Sequence, residues 1–328
     1  MSSLKRARIA VTACFLTHGL VFSSWLPHIP LIKDDLGLSE GGLGLVLLAP
    51  PAGALTALSL TGAACARWGS AAVTRATLAA YCIVTVGIGL GVDSAWTLVA
   101  ALALAGATVG SFDVSMNAQG AAVERAIGKP IMGSFHAAWA LAAAAGAGLG
   151  GLAAQLGVAL WLQLLVLSVA AYAATRKTTG DFVDDVSRRR SNGSGVDDAS
   201  RRRSNELGVD DVSRRRSDGS GVADSPAAEG VPSRKWRLEP GLVLLAATAF
   251  AALLAEGAAA DWSAVFLSQS LSATPLVAAC GYGAFAFFMF VGRLAGDQLV
   301  GRFGRRRSVA AAASVGGAGM AAGLALAG

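Results

Sequence analysis

Outside one short segment, the sequence has very little charge. The chain has 328 residues, with 27 lysines and arginines and 21 aspartates and glutamates. Residues 176–239 hold 14 of these cations and 12 of the anions, so the other 264 residues share only 22 charges. A soluble domain usually carries about 25% charged residues, whereas hydrophobic residues make up 54% of this chain and its mean hydropathy is +0.56. This scarcity of charge excludes an ordinary soluble enzyme.

The sequence also lacks the motifs of several catalytic classes. Its four cysteines, at positions 14, 65, 82 and 280, lie in apolar stretches without CxxC spacing. They are expected to be small buried hydrophobic residues rather than metal ligands. No GxxxxGK[ST], HExxH or GxSxG pattern occurs, which argues against ATP-driven transport by this chain and against an intramembrane hydrolase. We therefore expect no enzyme activity, no metal and no cofactor.

Long charge-free stretches are present instead, and their lengths fit a bilayer, which needs about 20 apolar residues per helix. Residues 130–175 contain no charge at all, which suits two spans with a turn at Gln155-Leu156-Gly157. A signal peptide is the alternative for the first stretch, but that run is long and no small-x-small cleavage site follows it. We predict an all-α polytopic membrane protein with about nine transmembrane helices, at 9–29, 42–65, 73–92, 95–118, 131–153, 157–175, 241–267, 275–299 and 308–328.

The cations are distributed asymmetrically between the predicted loops. If the N-terminus is cytoplasmic, 25 of the 27 lysines and arginines fall in inner segments, Arg293 lies inside a helix and only Lys33 falls outside. This is the bias that orients membrane proteins, so we predict that the N-terminus and residues 176–239 are cytoplasmic. The net charge of +6 then follows from topology, and no nucleic-acid partner is expected.

Residues 176–239 separate two apolar parts of the chain. They contain a 13-residue repeat, over 183–195, 196–208 and 209–221, that is rich in Ser, Gly, Asp and Arg. Such a segment buries too little apolar surface to offset its ordering entropy. We predict a disordered linker between an N-terminal six-helix bundle (1–175) and an incomplete C-terminal bundle (240–328). Two alternatives remain open: the arginine triplets touch anionic lipid headgroups, or the adjacent serines are phosphorylated.

A second repeat relates the two apolar parts. Arg67-Trp-Gly69 follows the second predicted helix, and Arg302-Phe-Gly304 follows the eighth, at an offset of 235 residues. The seventh to ninth helices thus look like a second copy of the first three, and parallel halves of this kind are a transporter architecture.

These loops resemble the signature of major facilitator superfamily permeases, which is roughly Gly-x-x-x-Asp-Arg-x-Gly-Arg-Arg in each half. Arg67 and Gly69 match it in the first copy, and Arg302, Gly304 and Arg305 match it in the second. Both copies lack the Asp. The resemblance implies that these residues belong to gating loops and that a central cavity opens alternately to each side of the membrane.

Three further stretches, 113–120, 134–139 and 256–263, resemble a branch of bacterial inner-membrane permeases distantly similar to sugar/proton symporters. The resemblance implies a monomer in the bacterial inner membrane that moves a small-molecule substrate, sugar-like or drug-like, together with protons. Because the family has twelve helices, we expect this chain to lack the last three. The alternative is a truncated, non-transporting remnant, or a membrane sensor or scaffold with a basic cytoplasmic tail.

Ionisable side chains inside the predicted spans are the candidate site residues, because a charge there costs at least about 2.5–3.5 kcal/mol. Asp113 and His136 are expected to lie at similar depth and to exchange a proton, and Glu256 lies about 22 Å along its helix. These three are the proton-coupling candidates. The structural alternatives are a hydrogen-bond network that only pins the fourth and fifth helices, and a Glu256 carboxyl bonded to a neighbouring helix.

The candidates for the cargo cavity lie near these groups. His18 is placed near mid-membrane, Asn117 shares a face with Asp113, and Trp139 could stack on a sugar-like cargo. The alternative for both His18 and Trp139 is a role in packing. Arg293 and Asp297 are four residues apart on one helix and can pair. We expect that pair to act as a conformational latch close to the inner loop.

Overall fold

The computed structural model describes residues 3–183 and 240–327, apart from the side chains of a few positions in the second range. Within these ranges the chain forms α helices, three short 3-10 helices and no strand. The α helices are α1 (Ser3–Ser24), α2 (Ile29–Asp35), α3 (Glu40–Val46), α4 (Ala49–Trp68), α5 (Ser70–Val86), α6 (Ala95–Ile127), α7 (Met132–Gln155), α8 (Leu160–Arg176), α9 (Pro240–Leu271), α10 (Pro275–Phe303) and α11 (Arg305–Ala327).

The helices confirm the predicted fold class. Seven helical segments in the described part of the chain are long and apolar enough to cross a membrane. An eighth, α8, is apolar but has 17 residues, or about 26 Å, slightly less than the roughly 30 Å of the hydrocarbon core. The ninth predicted helix is present as α11, which is not among the seven.

Prolines lie at the end of the first predicted helix and inside the second. The helix expected over 9–29 starts earlier, at Ser3, and stops at Ser24, and a 3-10 turn containing Pro27 then leads into α2, which has Pro30 in its first turn. The helix expected over 42–65 is broken at residues 47–48, and Pro50 lies in the first turn of α4. Proline has no backbone N–H and fits only the first turn of a helix, so each of these prolines begins a new segment.

Helix α6 is longer than predicted, because it continues nine residues past position 118 to Ile127. It begins with a capping box in which Ser94 and Thr97 bond reciprocally, and it ends at Gly128 in the left-handed conformation. Near its end, the carboxylate of Glu124 accepts the backbone N–H groups of Ile131 and Met132, at 2.7 and 2.8 Å. These bonds fix the turn into α7.

The chain divides into two compact units, Met1–Val183 with Ala258–Gly328, and Asp184–Gly257. The described part of the second unit is the first half of α9, in which the residues from 241 to 257 are exposed apart from half-buried Glu256. The predicted division into bundles at residues 175 and 240 stays a prediction.

The first eight residues of the predicted linker, 176–183, are among the described residues and contact the first unit. After α8 ends at Arg176, a 3-10 turn follows, and the Nε of Arg6 pairs with the carboxylate of Asp181 at 2.8 Å. The backbone of Val183 is held by the side-chain amide of Gln119 through two hydrogen bonds, of 2.9 and 3.1 Å. Buried or charged groups of the bundle supply their partners; residues 184–239, with nearly all of the repeats, lie outside the described residues.

Glycines allow the closest helix contacts in the first unit. A Cβ added at Gly19 of α1 would collide with the carbonyl oxygen of Trp139, and one added at Gly146 or Gly150 of α7 would collide with backbone atoms of α1. Helices α4 and α6 meet in the same way at Gly53 and Gly106. Helix α1 therefore lies directly against α7, with almost no side-chain layer between their backbones.

Candidate functional site

His18 is the buried polar centre of the first unit. It lies on α1, is 6% exposed, and its Nδ1 accepts a 3.1 Å hydrogen bond from the indole Nε1 of Trp139 on α7. The hydroxyl of Tyr81 on α5 donates to the backbone carbonyl of His18 at 3.1 Å. The structure thus brings together two of the predicted cargo-cavity residues, His18 and Trp139.

The bond from Trp139 defines the tautomer of His18. An indole N–H can only donate, so Nδ1 carries no proton and the neutral ring carries its proton on Nε2. That Nε2 is buried and has no hydrogen-bond partner among the described residues. An unmet buried donor costs about 1–3 kcal/mol, so this N–H is available to a hydrogen-bond acceptor.

Four aromatic rings surround the His18 imidazole. Their centroids lie 5.5 to 6.0 Å from it, and they belong to Tyr81, Phe112, Phe22 and Trp139. Phe22 and Tyr81 also line a cavity of about 210 Å³, whose other walls are mostly apolar residues of α4 and α6. Two of the rings around His18 thus also line an apolar cavity, of which His18 itself is not a lining residue, and these rings were not anticipated from the sequence.

Asp113 and Asn117 bond to each other along one face of α6. The side-chain amide of Asn117 donates to the Asp113 carboxylate at 3.0 Å and to its backbone carbonyl at 2.9 Å. Both side chains are half-buried, and Asp113 immediately follows Phe112, one of the rings around His18. The shared face predicted from their spacing is therefore present.

His136 lies one turn before Trp139 on α7 and is half-buried. Its ring packs edge-on against Phe15 of α1, at 5.1 Å between centroids. The predicted proton exchange between Asp113 and His136 stays a prediction. Asp113 is bonded to Asn117, whereas His136 packs against Phe15.

The remaining candidates are described separately. Glu256 belongs to the second unit and is described there alone. The guanidinium of Arg293 donates to the sulfur of Met289 at 3.2 Å, and the side chain of Asp297 lies outside the described residues, so their predicted pairing stays a prediction.

The two predicted gating loops have the same backbone conformation. Gly69 has φ 81° and ψ 149°, Gly304 has φ 78° and ψ 156°, and each ends a helix. Only glycine adopts this region readily. The guanidinium of Arg67 lies 5.5 Å from the ring centroid of Trp68, and that of Arg302 lies 5.6 Å from the ring centroid of Phe303. The two loops therefore also share a contact between an arginine and the aromatic ring that follows it. The side chain of Arg305 lies outside the described residues.

Lys33, the single cation predicted on the outer side, has a partner. Its ammonium donates to the side-chain oxygen of Gln269 on α9 at 2.9 Å, and the amide nitrogen of Gln269 donates to the carboxylate of Asp34 at 2.9 Å. One amide therefore connects α2 to the end of α9. The sequence showed only an unexplained charge at this position.

Comparisons with known proteins agree with this architecture. A family model for the Major Facilitator Superfamily matches residues 11–328. An uncharacterized MFS-type transporter of Yersinia pestis is 30% identical over 311 residues, which are 91% of this chain and 67% of that protein. An uncharacterized transporter of Sinorhizobium fredii is 28% identical over 90% of this chain and 68% of its own length.

Membrane protein MosC of Rhizobium meliloti is 25% identical over 95% of this chain and 66% of its own length. The chain thus spans about two thirds of the length of these relatives. No solved structure gives a significant match. The helices, the paired loops and the family match agree, and the chain belongs to the Major Facilitator Superfamily of multi-pass membrane transporters.

Proposed function

We propose that this protein is a secondary transporter that moves a small solute across the bilayer by alternating access, in exchange for or together with protons. Its family membership and the transporter names of its relatives support the transport itself. The absence of a GxxxxGK[ST] loop from the sequence favours an ion gradient over ATP as the energy source.

The unpartnered Nε2–H of His18 is the observation that carries this proposal. A buried donor whose surrounding rings include two that line an apolar cavity suits a solute that offers a hydrogen-bond acceptor and an apolar face. Trp139 and Phe22 supply aromatic surfaces next to that donor, and Asn117 supplies an amide on α6. A sugar-like solute and a drug-like compound both meet this description.

For proton coupling we propose a role of the His18–Trp139 bond. An imidazole can gain a second proton, and in imidazolium both nitrogens are donors. Protonated His18 therefore cannot accept the indole N–H, so proton binding releases Trp139 from α1. Asp113, which adjoins Phe112, and His136, one turn from Trp139, are the proposed neighbours in the proton route, and Glu256 remains a candidate on α9.

The cation distribution supports a cytoplasmic location of the N-terminus and residues 176–239, and the bacterial relatives support a location in a bacterial inner membrane. We also propose that the two loops ending at Gly69 and Gly304 act as gating loops, since they share one conformation at equivalent places. The protein is proposed to work as a monomer.

Solute-driven proton movement in proteoliposomes tests this function. The purified protein is reconstituted with a pH-sensitive dye trapped in the lumen, and unlabelled sugars and drug-like organic cations are added in turn under an imposed solute gradient. We expect at least one compound to change the lumenal pH in the protein-containing vesicles and to quench tryptophan fluorescence, because Trp139 lies at the proposed site. Protein-free vesicles and vesicles with a collapsed proton gradient are the controls.

The outcome also separates this function from its alternative. A compound that quenches tryptophan fluorescence but is not transported and drives no proton movement would favour a membrane sensor. If no compound causes quenching or flux, a non-transporting remnant is favoured. Solute uptake at the same rate with and without a proton gradient would support transport but contradict proton coupling.

A further inference from the structure

A crevice runs between α5 and α8 on the surface of the first unit, away from His18. Its basic end is a recess of about 500 Å³ whose lining includes Arg75, Arg176 and Lys177. The recess lies near the first residues of α5 and the last residues of α8, because its lining includes Arg75 and Arg176. The two helices are therefore antiparallel along the crevice.

The three cations of the recess are not neutralised by the described part of the chain. Arg75 donates one N–H to the backbone carbonyl of Thr179 at 3.2 Å, and no carboxylate of the described residues forms an ion pair with Arg75, Arg176 or Lys177. Asp181, which follows in the same segment, is paired with Arg6. The recess therefore presents a net positive charge to whatever occupies it.

An apolar groove of about 380 Å³ continues the recess along the same two helices. Tyr172 lines both, which makes them one crevice. The groove is otherwise lined by Ala79, Cys82, Ile83, Val86, Leu165, Ser168 and Val169. It opens to the surface, where Ile83 and Val169 are 73% and 59% exposed.

The dimensions of the crevice match one leaflet of a bilayer. Arg75 and Val86 are eleven residues apart on α5, or about 16 Å at 1.5 Å per residue. Half of a hydrocarbon core is about 15 Å. A charged group held at Arg75 would thus lie at the membrane surface, with the apolar groove extending to the bilayer centre.

We propose that this crevice binds one anionic phospholipid of the cytoplasmic leaflet, with the phosphate at Arg75, Arg176 and Lys177 and an acyl chain along the groove between α5 and α8. Basic recesses between helices on the cytoplasmic side are suited to anionic headgroups, and the groove adds an apolar surface that a free phosphate would not use. The site is independent of the proposed cargo site, because it shares no residue with it.

Binding of phosphatidylglycerol to the purified full chain tests the site. The protein is delipidated in neutral detergent and titrated with phosphatidylglycerol, phosphatidylcholine or inorganic phosphate, and bound lipid is counted by native mass spectrometry. We expect one tightly bound phosphatidylglycerol per chain, with phosphatidylcholine and phosphate at least about tenfold weaker, because each cation near the surface contributes to anionic-lipid binding.

Variants locate the lipid. The triple variant Arg75→Gln, Arg176→Gln and Lys177→Gln is expected to weaken phosphatidylglycerol binding by about tenfold or more, and lysines at the two arginine positions should restore most of it. A matched triple variant at Arg125, Lys129 and Arg307, also to Gln, removes equal charge outside the crevice and should change binding less than twofold.

A second variant, Val169→Trp, fills the groove while keeping all three cations, and it should weaken the lipid but not inorganic phosphate. Size-exclusion profiles and helical circular dichroism identify any variant that fails to fold, and such a variant is replaced by the single Arg75→Gln change. Equal loss of lipid in the two triple variants, equal binding of phosphatidylcholine, or phosphate binding as tight as that of lipid would each overturn the proposal.

Discussion

Replacing His18 with glutamine is expected to abolish solute-driven proton movement while leaving the protein folded. The side-chain oxygen of glutamine can still accept the indole N–H of Trp139, whose bond to His18 is 3.1 Å. Glutamine cannot gain or lose a proton, and a positioned proton-transfer group typically contributes about 100-fold or more to the rate of its step. We therefore expect proton movement in proteoliposomes to fall by at least about 100-fold.

The matched control is His28→Gln, the same chemical change at the other fully buried histidine. His28 lies in the 3-10 turn after α1, and its Nε2 is bonded to the side-chain oxygen of Gln163 at 2.8 Å. This variant should keep most of the proton movement. A second variant, Trp139→Phe, keeps an aromatic ring but removes the donor, and it should uncouple protons from solute while binding persists. If His18→Gln is as active as His28→Gln, His18 has no part in coupling.

The second large effect concerns the glycine contacts between α1 and α7. A Cβ at Gly150 would lie within the backbone of Ser24, whereas a Cβ at Gly148, half a turn away on the same helix, has nothing within 4 Å. Gly150→Ala is thus expected to force the helices apart, at a cost of about 1–3 kcal/mol or more. Gly148→Ala should be neutral or stabilising by up to about 1 kcal/mol, because alanine favours a helix.

Thermal unfolding of the two variants in detergent, followed by tryptophan fluorescence, measures this difference. We expect a clearly lower Tm or a loss of monodisperse protein for Gly150→Ala, and an unchanged or higher Tm for Gly148→Ala. Equal melting temperatures would mean that α1 and α7 do not approach as closely as described. Because Gly19 of α1 lies against the carbonyl of Trp139, the same interface positions the His18–Trp139 bond.

The sequence predicted those features that local composition determines. Charge-free stretches located the helices, since a charge in the bilayer is costly wherever it lies. The turn at Gln155-Leu156-Gly157 was found because it interrupts an apolar run, and Gly157 has a φ of 69° there. The repeated loops at Gly69 and Gly304 were visible because one backbone conformation demands glycine at the same place in both copies.

Contacts between helices that are distant in the sequence could not be predicted from it. The pairing of His18 with Trp139 joins residues 121 positions apart, and no local pattern shows which face of each helix meets the other. The same limit applies to the contacts of Asp181 with Arg6 and of Val183 with Gln119, which join residues far apart in the sequence. The break before α4 was missed because apolar content continues through it, while Pro50 lies in the first turn where the helix restarts.

The protonation state of His18 tests the central claim most directly. The chain has three histidines, His18, His28 and His136, so nitrogen-15 NMR of histidine-labelled protein in lipid can resolve each ring. We predict a neutral His18 with its proton on Nε2 and an unprotonated Nδ1, and a shift of the Nε2 signal when a solute that drives proton movement is added. A proton on Nδ1, or a His18 signal that this solute leaves unchanged, would contradict the role of His18 as the polar centre of the transport site.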